Sequence, residues 1–261
     1  MLPIDHPRFR PAMKLIDEAQ YADAARQLTE MEAGLSDKDR AGALFWKGVC
    51  FGRLGRFDDT MACVDDALRS VEPDSALGIC LQLQQAYCFK RGEAPEAEIA
   101  AIRSVLSRYA KQFSTPDFFW QYLDAKTALG KRLLRAGQYS EGIAELQQVV
   151  LTEPRPAARY SARVWLHDAY YKAGDLDRAK EYLEDALKDA ESAPKAQLPA
   201  DHPALVRYEL ALIAYKQGRW ADAERELALA CAAAQNPKTL RVISKLSKLL
   251  HSHKSEPPSD S

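Results

Sequence analysis

Side chains that could perform catalysis occur in this sequence, but none stands in a pattern that a known chemistry requires. There is no Gly-x-Ser-x-Gly nucleophile motif, no Gly-x-x-x-x-Gly-Lys phosphate loop and no His-Glu-x-x-His zinc motif. The glycines between Gly48 and Gly55 lie at the C-terminal end of a predicted helix, whereas phosphates bind at helix N-termini. We therefore predict that the protein is not an enzyme and has no cofactor.

Acidic pairs and histidines are the remaining candidates for a metal site. The aspartate pairs at 58–59 and 65–66 are separated by about 10 Å along a predicted helix, because each residue advances the helix by about 1.5 Å. Carboxylates that far apart on one helix cannot share an ion. His251 and His253 are two residues apart and point to different sides of the last predicted helix. The sequence therefore predicts no metal site.

Basic side chains recur two residues before regularly placed glycines. The residues ten, six and three positions before the same glycines are often aromatic or aliphatic, and these positions share one helix face. Cations between apolar pockets suit an acidic and hydrophobic peptide, held by charge-assisted hydrogen bonds and by burial. Alternatively, the cations are only solvated helix ends. The residues on this face, which become candidate binding residues if the face lines a groove, are Phe45, Val49, Arg53, Gln82, Phe89, Lys90, Lys131, Arg135, Asp168, Tyr171, Lys172, Tyr208, Leu212, Tyr215 and Lys216.

Composition and charge exclude several classes of function. The formal net charge of the chain is −1, so no global attraction to nucleic acid or to an anionic membrane is expected. The N-terminal residues lack the apolar run of a secretory signal, and no apolar stretch is long enough for a transmembrane helix. The five cysteines include no Cys-x-x-Cys pair and fall on apolar helix faces. These features predict a cytoplasmic protein.

The elements that must position the candidate residues are helical hairpins. The stretch from Leu129 to Pro154 contains an apolar helical pattern, a turn glycine at Gly137, a second helical pattern and a terminating proline. Gly130 and Gly142 are small enough to let the two helices cross closely. Such a hairpin cannot bury its apolar stripe alone, so consecutive hairpins must stack.

This pattern of glycine, aromatic, alanine and proline resembles the tetratricopeptide repeat, a helix–turn–helix unit of about 34 residues. The turn glycines are Gly55, Gly92, Gly137, Gly174 and Gly218, and Ala19 takes the glycine place in the first unit. We place a repeat solenoid at 1–254, with units at roughly 5–38, 41–74, 75–113, 117–156, 157–193 and 203–237, a cap at 238–252 and a disordered tail at 255–261. The sixth unit, from about Pro203 to Gln235, resembles the longer repeats of kinesin light chains and of bacterial signalling sensors.

The resemblance implies an all-α superhelix that binds a protein or peptide along a concave groove lined by the first helix of each unit. It implies a non-enzymatic scaffold or adaptor, or alternatively a sensor module for a small signalling peptide. RNA binding is a weaker third interpretation, because net charge is near zero and repeat lengths are irregular. The clamp for chaperone C-termini is absent, because that clamp uses paired asparagines on the first helices and this chain has only Asn236.

Three local features complete the predictions. The aromatic residues at 118–122 either cover the long second helix of the third unit, predicted from Glu96 to about Gln112, or anchor a partner. Asp201 is a candidate N-cap of the helix that follows it. The basic amphipathic helix at 238–252 either caps the last repeat or contacts a membrane, and the cap is favoured.

Overall fold

The computed structural model describes residues 7–88, 95–194, 198 and 200–255, and these residues are all-α without a β-strand. Three short 3-10 helices at Pro7–Phe9, Glu32–Gly34 and Pro116–Phe118 accompany the α-helices. The α-helices are α1 Arg10–Asp17, α2 Tyr21–Met31, α3 Asp37–Arg53, α4 Phe57–Leu68, α5 Ala76–Tyr87, α6 Pro95–Arg108, α7 Ala110–Phe113, α8 Phe119–Arg135, α9 Tyr139–Thr152, α10 Pro156–Lys172, α11 Leu176–Ser192, α12 His202–Lys216, α13 Trp220–Ala233 and α14 Pro237–Ser255.

The turns between paired helices are built as the sequence predicts. Gly55, Gly137, Gly174 and Gly218 all adopt a positive φ, between 71° and 82°, which glycine reaches without a Cβ clash. Ala19 adopts the same left-handed conformation at φ 58°, and it is the only non-glycine residue with a positive φ in the described chain. Gly92, predicted to form the remaining turn, lies outside the described residues.

The chain divides into two compact units, Met1–Glu145 and Leu146–Ser261, and the boundary falls inside α9. In the first unit, apolar clusters form between successive helices, such as Leu44, Val64 and Leu81 from α3, α4 and α5. Close crossing of α8 and α9 depends on Gly142, where a Cβ would come within 2.8 Å of the Leu134 side chain. This confirms the role that the sequence assigned to small residues in this hairpin.

The second unit buries an ion network between α10 and α11. Asp189 is 3% exposed, and its Oδ1 accepts hydrogen bonds from Arg159 Nε at 3.0 Å and Arg159 Nη2 at 2.7 Å. Its other oxygen accepts from Arg163 Nη1, and Arg163 also donates to the Asp185 carbonyl. Two guanidinium groups thus compensate one buried carboxylate and tie the two helices together.

Two local predictions were wrong. The long helix predicted from Glu96 to about Gln112 breaks at Tyr109, whose φ of −108° and ψ of 26° separate α6 from α7. Asp201 does not cap its own helix α12. Its carboxylate instead accepts from the backbone N–H groups of Gln235 at 2.6 Å and Asn236 at 3.1 Å, so it holds the turn that leads into α14.

Helix α14 covers the end of the second unit. Ile243, Leu246 and Leu250 are buried against an apolar cluster formed with α12 and α13. Leu240, Val242 and Leu249, which belong to the same predicted apolar stripe, are 40%, 40% and 52% exposed. The helix continues to Ser255, beyond its predicted end, and the rest of the predicted tail lies outside the described residues.

Candidate ligand-binding cavity

A cavity of about 580 Å³ lies among α3, α4, α5 and α8 in the first unit, and we call it the unit 1 cavity. Its size is within the range of pockets that hold small molecules or several peptide side chains. Three of the predicted binding residues, Phe45, Val49 and Arg53, contribute to it from α3. The complete lining is Phe45, Trp46, Gly48, Val49, Gly52, Arg53, Phe57, Thr60, Cys80, Leu83, Gln84, Tyr87, Cys88, Trp120, Gln121, Asp124 and Arg132.

Aromatic rings and one glycine shape the unit 1 cavity. Phe45 and Trp46 pack edge to face with ring centroids 5.2 Å apart, and Trp120 packs against Phe119 in the same way at 5.1 Å. A Cβ at Gly48 would come within 2.6 Å of Gln84 Nε2, so glycine lets the Gln84 amide lie against α3. The cavity therefore depends on a small residue in α3 facing a large polar residue in α5.

Four polar atoms around the cavity are buried without a hydrogen-bond partner in the described part of the chain. They are the indole nitrogen of Trp46, Oε1 of Gln84, the hydroxyl of Tyr87 and Oε1 of Gln121. Burial raises the pKa of the Tyr87 hydroxyl well above its usual value, so Tyr87 is neutral at physiological pH. An unpaired buried polar atom costs about 1–3 kcal/mol, so four of them at one cavity require an explanation.

Cations gather at the edge of this cavity. Lys131 is desolvated and lies within the electrostatic influence of Arg53, Arg132 and Arg135, and these effects lower its pKa to about 8. Asp124 is the nearby carboxylate that acts in the opposite direction. Arg132 forms an ion pair with the buried Glu98, whereas Arg53 and Arg135 are exposed. The structure thus brings together Arg53, Lys131 and Arg135 of the predicted binding residues.

The predicted binding residues of α10 and α12 lie in the second unit and interact with one another. Lys172 Nζ pairs with Asp168 Oδ2 at 2.7 Å, and Lys216 Nζ lies 4.2 Å from the centroid of the Tyr171 ring. Both contacts are on partly exposed surface, where such pairs contribute little to stability. The cations of this row are therefore already partly neutralised in the second unit.

The remaining predicted residues have other surroundings. Tyr208, Leu212 and Tyr215 pack, half-buried, against the apolar cluster that α14 completes. Gln82 does not line the unit 1 cavity; its Nε2 donates to the Pro73 carbonyl at 2.8 Å and to the Tyr109 hydroxyl at 2.9 Å. Phe89 and Lys90 lie outside the described residues.

The aromatic residues at 118–122 have two kinds of surroundings, and a role as partner anchors stays a prediction. Phe118 and Tyr122 pack against Phe113, each with ring centroids 6.0 Å apart. Trp120 is 40% exposed and lines the unit 1 cavity. Trp46, Gln84, Tyr87 and Gln121 line the cavity but are not among the predicted binding residues. One sequence signal could have indicated Gln84. It stands eight residues before the turn glycine, and in the later repeats a buried leucine occupies that position.

No group of three or more His, Cys, Asp or Glu side chains suited to a metal ion occurs among the described residues. The four cysteines Cys50, Cys63, Cys80 and Cys88 are buried, and burial raises the pKa of each thiol to about 11 or 12. Thiols with such pKa values are poor nucleophiles at neutral pH. Within the described residues, every helix is too short or too polar to span a bilayer.

Known proteins share the sequence pattern in part and the fold throughout. Residues 166–237 match the family model for the tetratricopeptide repeat. No curated protein matches the sequence significantly. At the 13–18% identities of the solved structures that it resembles, the likeness shows the fold alone.

Three of these proteins illustrate the range. The fold aligns with BtubC (BKLC) from P. vanneervenii at a TM-score of 0.62 and 16% identity, covering 88% of this chain and 93% of that chain. The apo quorum sensor NprR from B. thuringiensis aligns at 0.70 and 15% identity, over 92% and 68%. A structure of NprR with its cognate peptide NprX aligns at 0.60 and 14% identity, over 96% and 73%. PilW, a type IV pilus biogenesis factor, aligns at 0.65 and 18% identity, over 90% and 96%.

Proposed function

Because this chain is a tetratricopeptide repeat protein with the corresponding all-α solenoid fold, we propose that it binds a segment of another protein at the unit 1 cavity and its basic edge. The fold is generally a non-enzymatic interaction module. One observation supports the proposal above all. Predicted binding residues from α3 line a cavity of about 580 Å³, and a cluster of cations lies beside it. The preformed cavity limits the ordering entropy lost on this side of the interface.

The chemistry of the site favours an acidic and hydrophobic segment. Lys131 is held among three arginines at a pKa of about 8, and an incoming carboxylate relieves their mutual repulsion. Phe45, Val49 and Trp120 offer apolar surface beside those cations. A segment with an acidic residue next to a large apolar residue satisfies both features. The predicted binding residues of the second unit have the same residue types, and there Lys172 contacts Asp168 and Lys216 contacts the Tyr171 ring.

The complex of NprR with its peptide supports this proposal, because a protein of the same fold accommodates a peptide. It also favours a second candidate, a sensor module in which a signalling peptide changes the conformation of the repeats. The two candidates share a ligand class and differ in the response of the protein. The similarity to kinesin light chain repeats and the cytoplasmic location remain predictions.

The test is titration of the full chain with a library of short fluorescent peptides that combine Asp or Glu with Leu or Phe. Arg135→Glu is expected to weaken the best binders by about tenfold or more, equivalent to about 1.4 kcal/mol. Lys172→Glu tests whether the row extends into the second unit. The matched control is Arg26→Glu, because Arg26 is also an exposed arginine but lies on α2 and is not one of the charges that act on Lys131. Binding that neither Arg135→Glu nor Lys172→Glu alters would contradict the proposal.

Scattering measurements then separate the two candidates. A scaffold keeps its radius of gyration when the best peptide saturates it, whereas a sensor module changes it. Saturation has to be established by titration first, so that an unchanged radius is informative.

A further inference from the structure

The unit 1 cavity is lined by polar groups that are neutral as well as by aromatic rings. Trp46 from α3, Gln84 and Tyr87 from α5 and Gln121 from α8 each bring one buried polar atom without a partner among the described residues. The indole N–H is a donor, the two amide oxygens are acceptors and the phenol is either. These donors and acceptors come from three of the helices that line one cavity.

The Gln84 amide is held in place by its surroundings. Its side chain is only 7% exposed, and its Nε2 donates to the Phe45 carbonyl at 3.4 Å. Gly48 leaves the space that this amide occupies, because a Cβ there would meet Gln84 Nε2 at 2.6 Å. The donor side of the amide is thus turned to α3, and its oxygen is the group left to accept a hydrogen bond.

The charged groups of the lining do not belong to this polar set. Arg53 and Asp124 are exposed, and Arg132 is paired with Glu98. A carboxylate that entered among Trp46, Gln84 and Tyr87 would lose its hydration, and Arg132, whose charge reaches Tyr87, is already paired with Glu98. A purely apolar group would leave all the polar atoms unpaired, at about 1–3 kcal/mol for each.

We infer that the unit 1 cavity receives the carboxamide side chain of an asparagine or glutamine in the bound segment. A carboxamide is flat and uncharged, and it carries two N–H donors and one carbonyl acceptor. It can donate to the oxygens of Gln84 and Gln121 and accept from the Trp46 indole or the Tyr87 hydroxyl. Aromatic rings on several sides of the cavity suit a planar group. This inference rests on the proposed function, since it specifies which side chain the partner inserts.

The first experiment uses small probes and needs no partner. Benzamide, benzoate and toluene have nearly the same shape and differ in the group that we expect the cavity to select. In ¹⁵N-labelled full-length protein, benzamide is expected to shift the indole N–H signal of Trp46, assigned with Trp46→Phe, in a saturable manner. Benzoate and toluene are expected to bind at least about tenfold more weakly, the discrimination expected when a site built to hydrogen-bond loses its partner group.

Substitutions of the two cavity glutamines test the inference, and a neighbouring glutamine on α5 provides the matched control. Gln84→Met and Gln121→Met are expected to remove the preference for benzamide, and agreement between the two guards against misfolding of either one. Gln85→Met is the control, because Gln85 lies next to Gln84 on α5 but donates outward to Asp65 at 3.2 Å. Equal binding of the three probes would overturn the inference. An indole signal of Trp46 that benzamide does not shift would also overturn it, because it would mean that the polar atoms of the cavity do not bind a carboxamide.

The second experiment tests the source of the carboxamide. Peptides of the form acetyl-Asp-Leu-Xaa-Leu-Glu-amide with Gln, Glu or Met at the central position are titrated against the full chain. The Gln peptide is expected to bind at least about tenfold more tightly than the other two, by the same loss of hydrogen-bond partners. If the peptides bind equally well, the proposed function survives and this inference fails. If benzamide binds selectively and no peptide binds, the cavity serves a free small molecule and both proposals fail.

Discussion

Lys131 is the residue at which the electrostatics of the candidate site can be measured without a ligand. Desolvation and the charges of Arg53, Arg132 and Arg135 lower its pKa to about 8 from 10.5. Between these two values the unfolded chain binds a proton at this lysine and the folded chain does not. Protonation of Lys131 therefore destabilises the folded state: this cost is absent above about pH 10.5 and is fully present once the pH has fallen below about 8.

Lys131→Met is expected to be more stable than the wild type at pH 7, because it removes the cost of holding a charged lysine among arginines. The difference should be about 1–2 kcal/mol after allowance for solvent screening of a half-buried group, and it should shrink as the pH is raised toward 10. Urea denaturation at several pH values measures it. Lys131→Arg keeps the charge at every pH, so its stability relative to Lys131→Met should not vary between pH 7 and 10.

Ala19 shows the cost of departing from glycine at a repeat turn. It adopts φ 58°, where an L-residue with a Cβ loses about 1–2 kcal/mol. A glycine at this position would remove the strain, but it would lower stability by about 0.5–1 kcal/mol because it makes the unfolded chain more flexible. Ala19→Gly is therefore expected to stabilise the protein by about 0.5–1 kcal/mol in urea denaturation.

The reverse change at Gly137 is the counterpart of that experiment. A Cβ at Gly137 would meet no atom within 4 Å, so Gly137→Ala should lose stability through backbone strain alone, by about 1 kcal/mol. Gly34→Ala serves as the control, because Gly34 has equally open surroundings and no positive φ. If all three substitutions changed stability in the same direction, the conformational argument would be wrong.

At the scale of helices, the pairing of α10 with α11 depends on a carboxylate that two arginines compensate. Asp189→Asn is expected to cost about 3 kcal/mol in urea denaturation, because it leaves Arg159 and Arg163 without their buried counter-charge. Asp185→Asn makes the same chemical change on the same helix, but that side chain is 45% exposed. It should cost less than about 1 kcal/mol. Equal losses would show that helix propensity, and not the ion network, determines the effect.

The elements were predictable wherever local sequence alone sets them. Glycines at the turns and Gly142 at a helix crossing acted as their conformational and steric properties require. The break between α6 and α7 was not predictable, because the apolar stripe continues through it. It is accompanied by a tertiary contact, in which the buried Tyr109 hydroxyl donates to the Pro73 carbonyl at 3.3 Å.

At the scale of the whole molecule, periodicity identified the repeat fold but only part of the candidate site. Repeat spacing placed Phe45, Val49 and Arg53 on one helix face, and all three line the cavity. It could not place Gln84 and Gln121, because a cavity between helices depends on how far neighbouring repeats are separated. Those separations vary where repeat lengths are irregular. A polar residue at a position that is otherwise buried leucine is the kind of exception that marks such a site.

Helix α14 gives the prediction that belongs to the whole chain. Contacts in a repeat protein are between neighbours, and a last repeat needs a cover for its apolar face. Truncation after Asn236 should uncover Ala223, Leu227 and Ala230, which pack with α14. We expect increased binding of a hydrophobic dye and faster amide exchange in α12 and α13, with exchange in α3 and α4 unchanged. Truncation after Ser255 keeps all of α14 and should change neither measurement. Loss of protection along the entire chain in the first variant would contradict nearest-neighbour stabilisation and would indicate one cooperative unit.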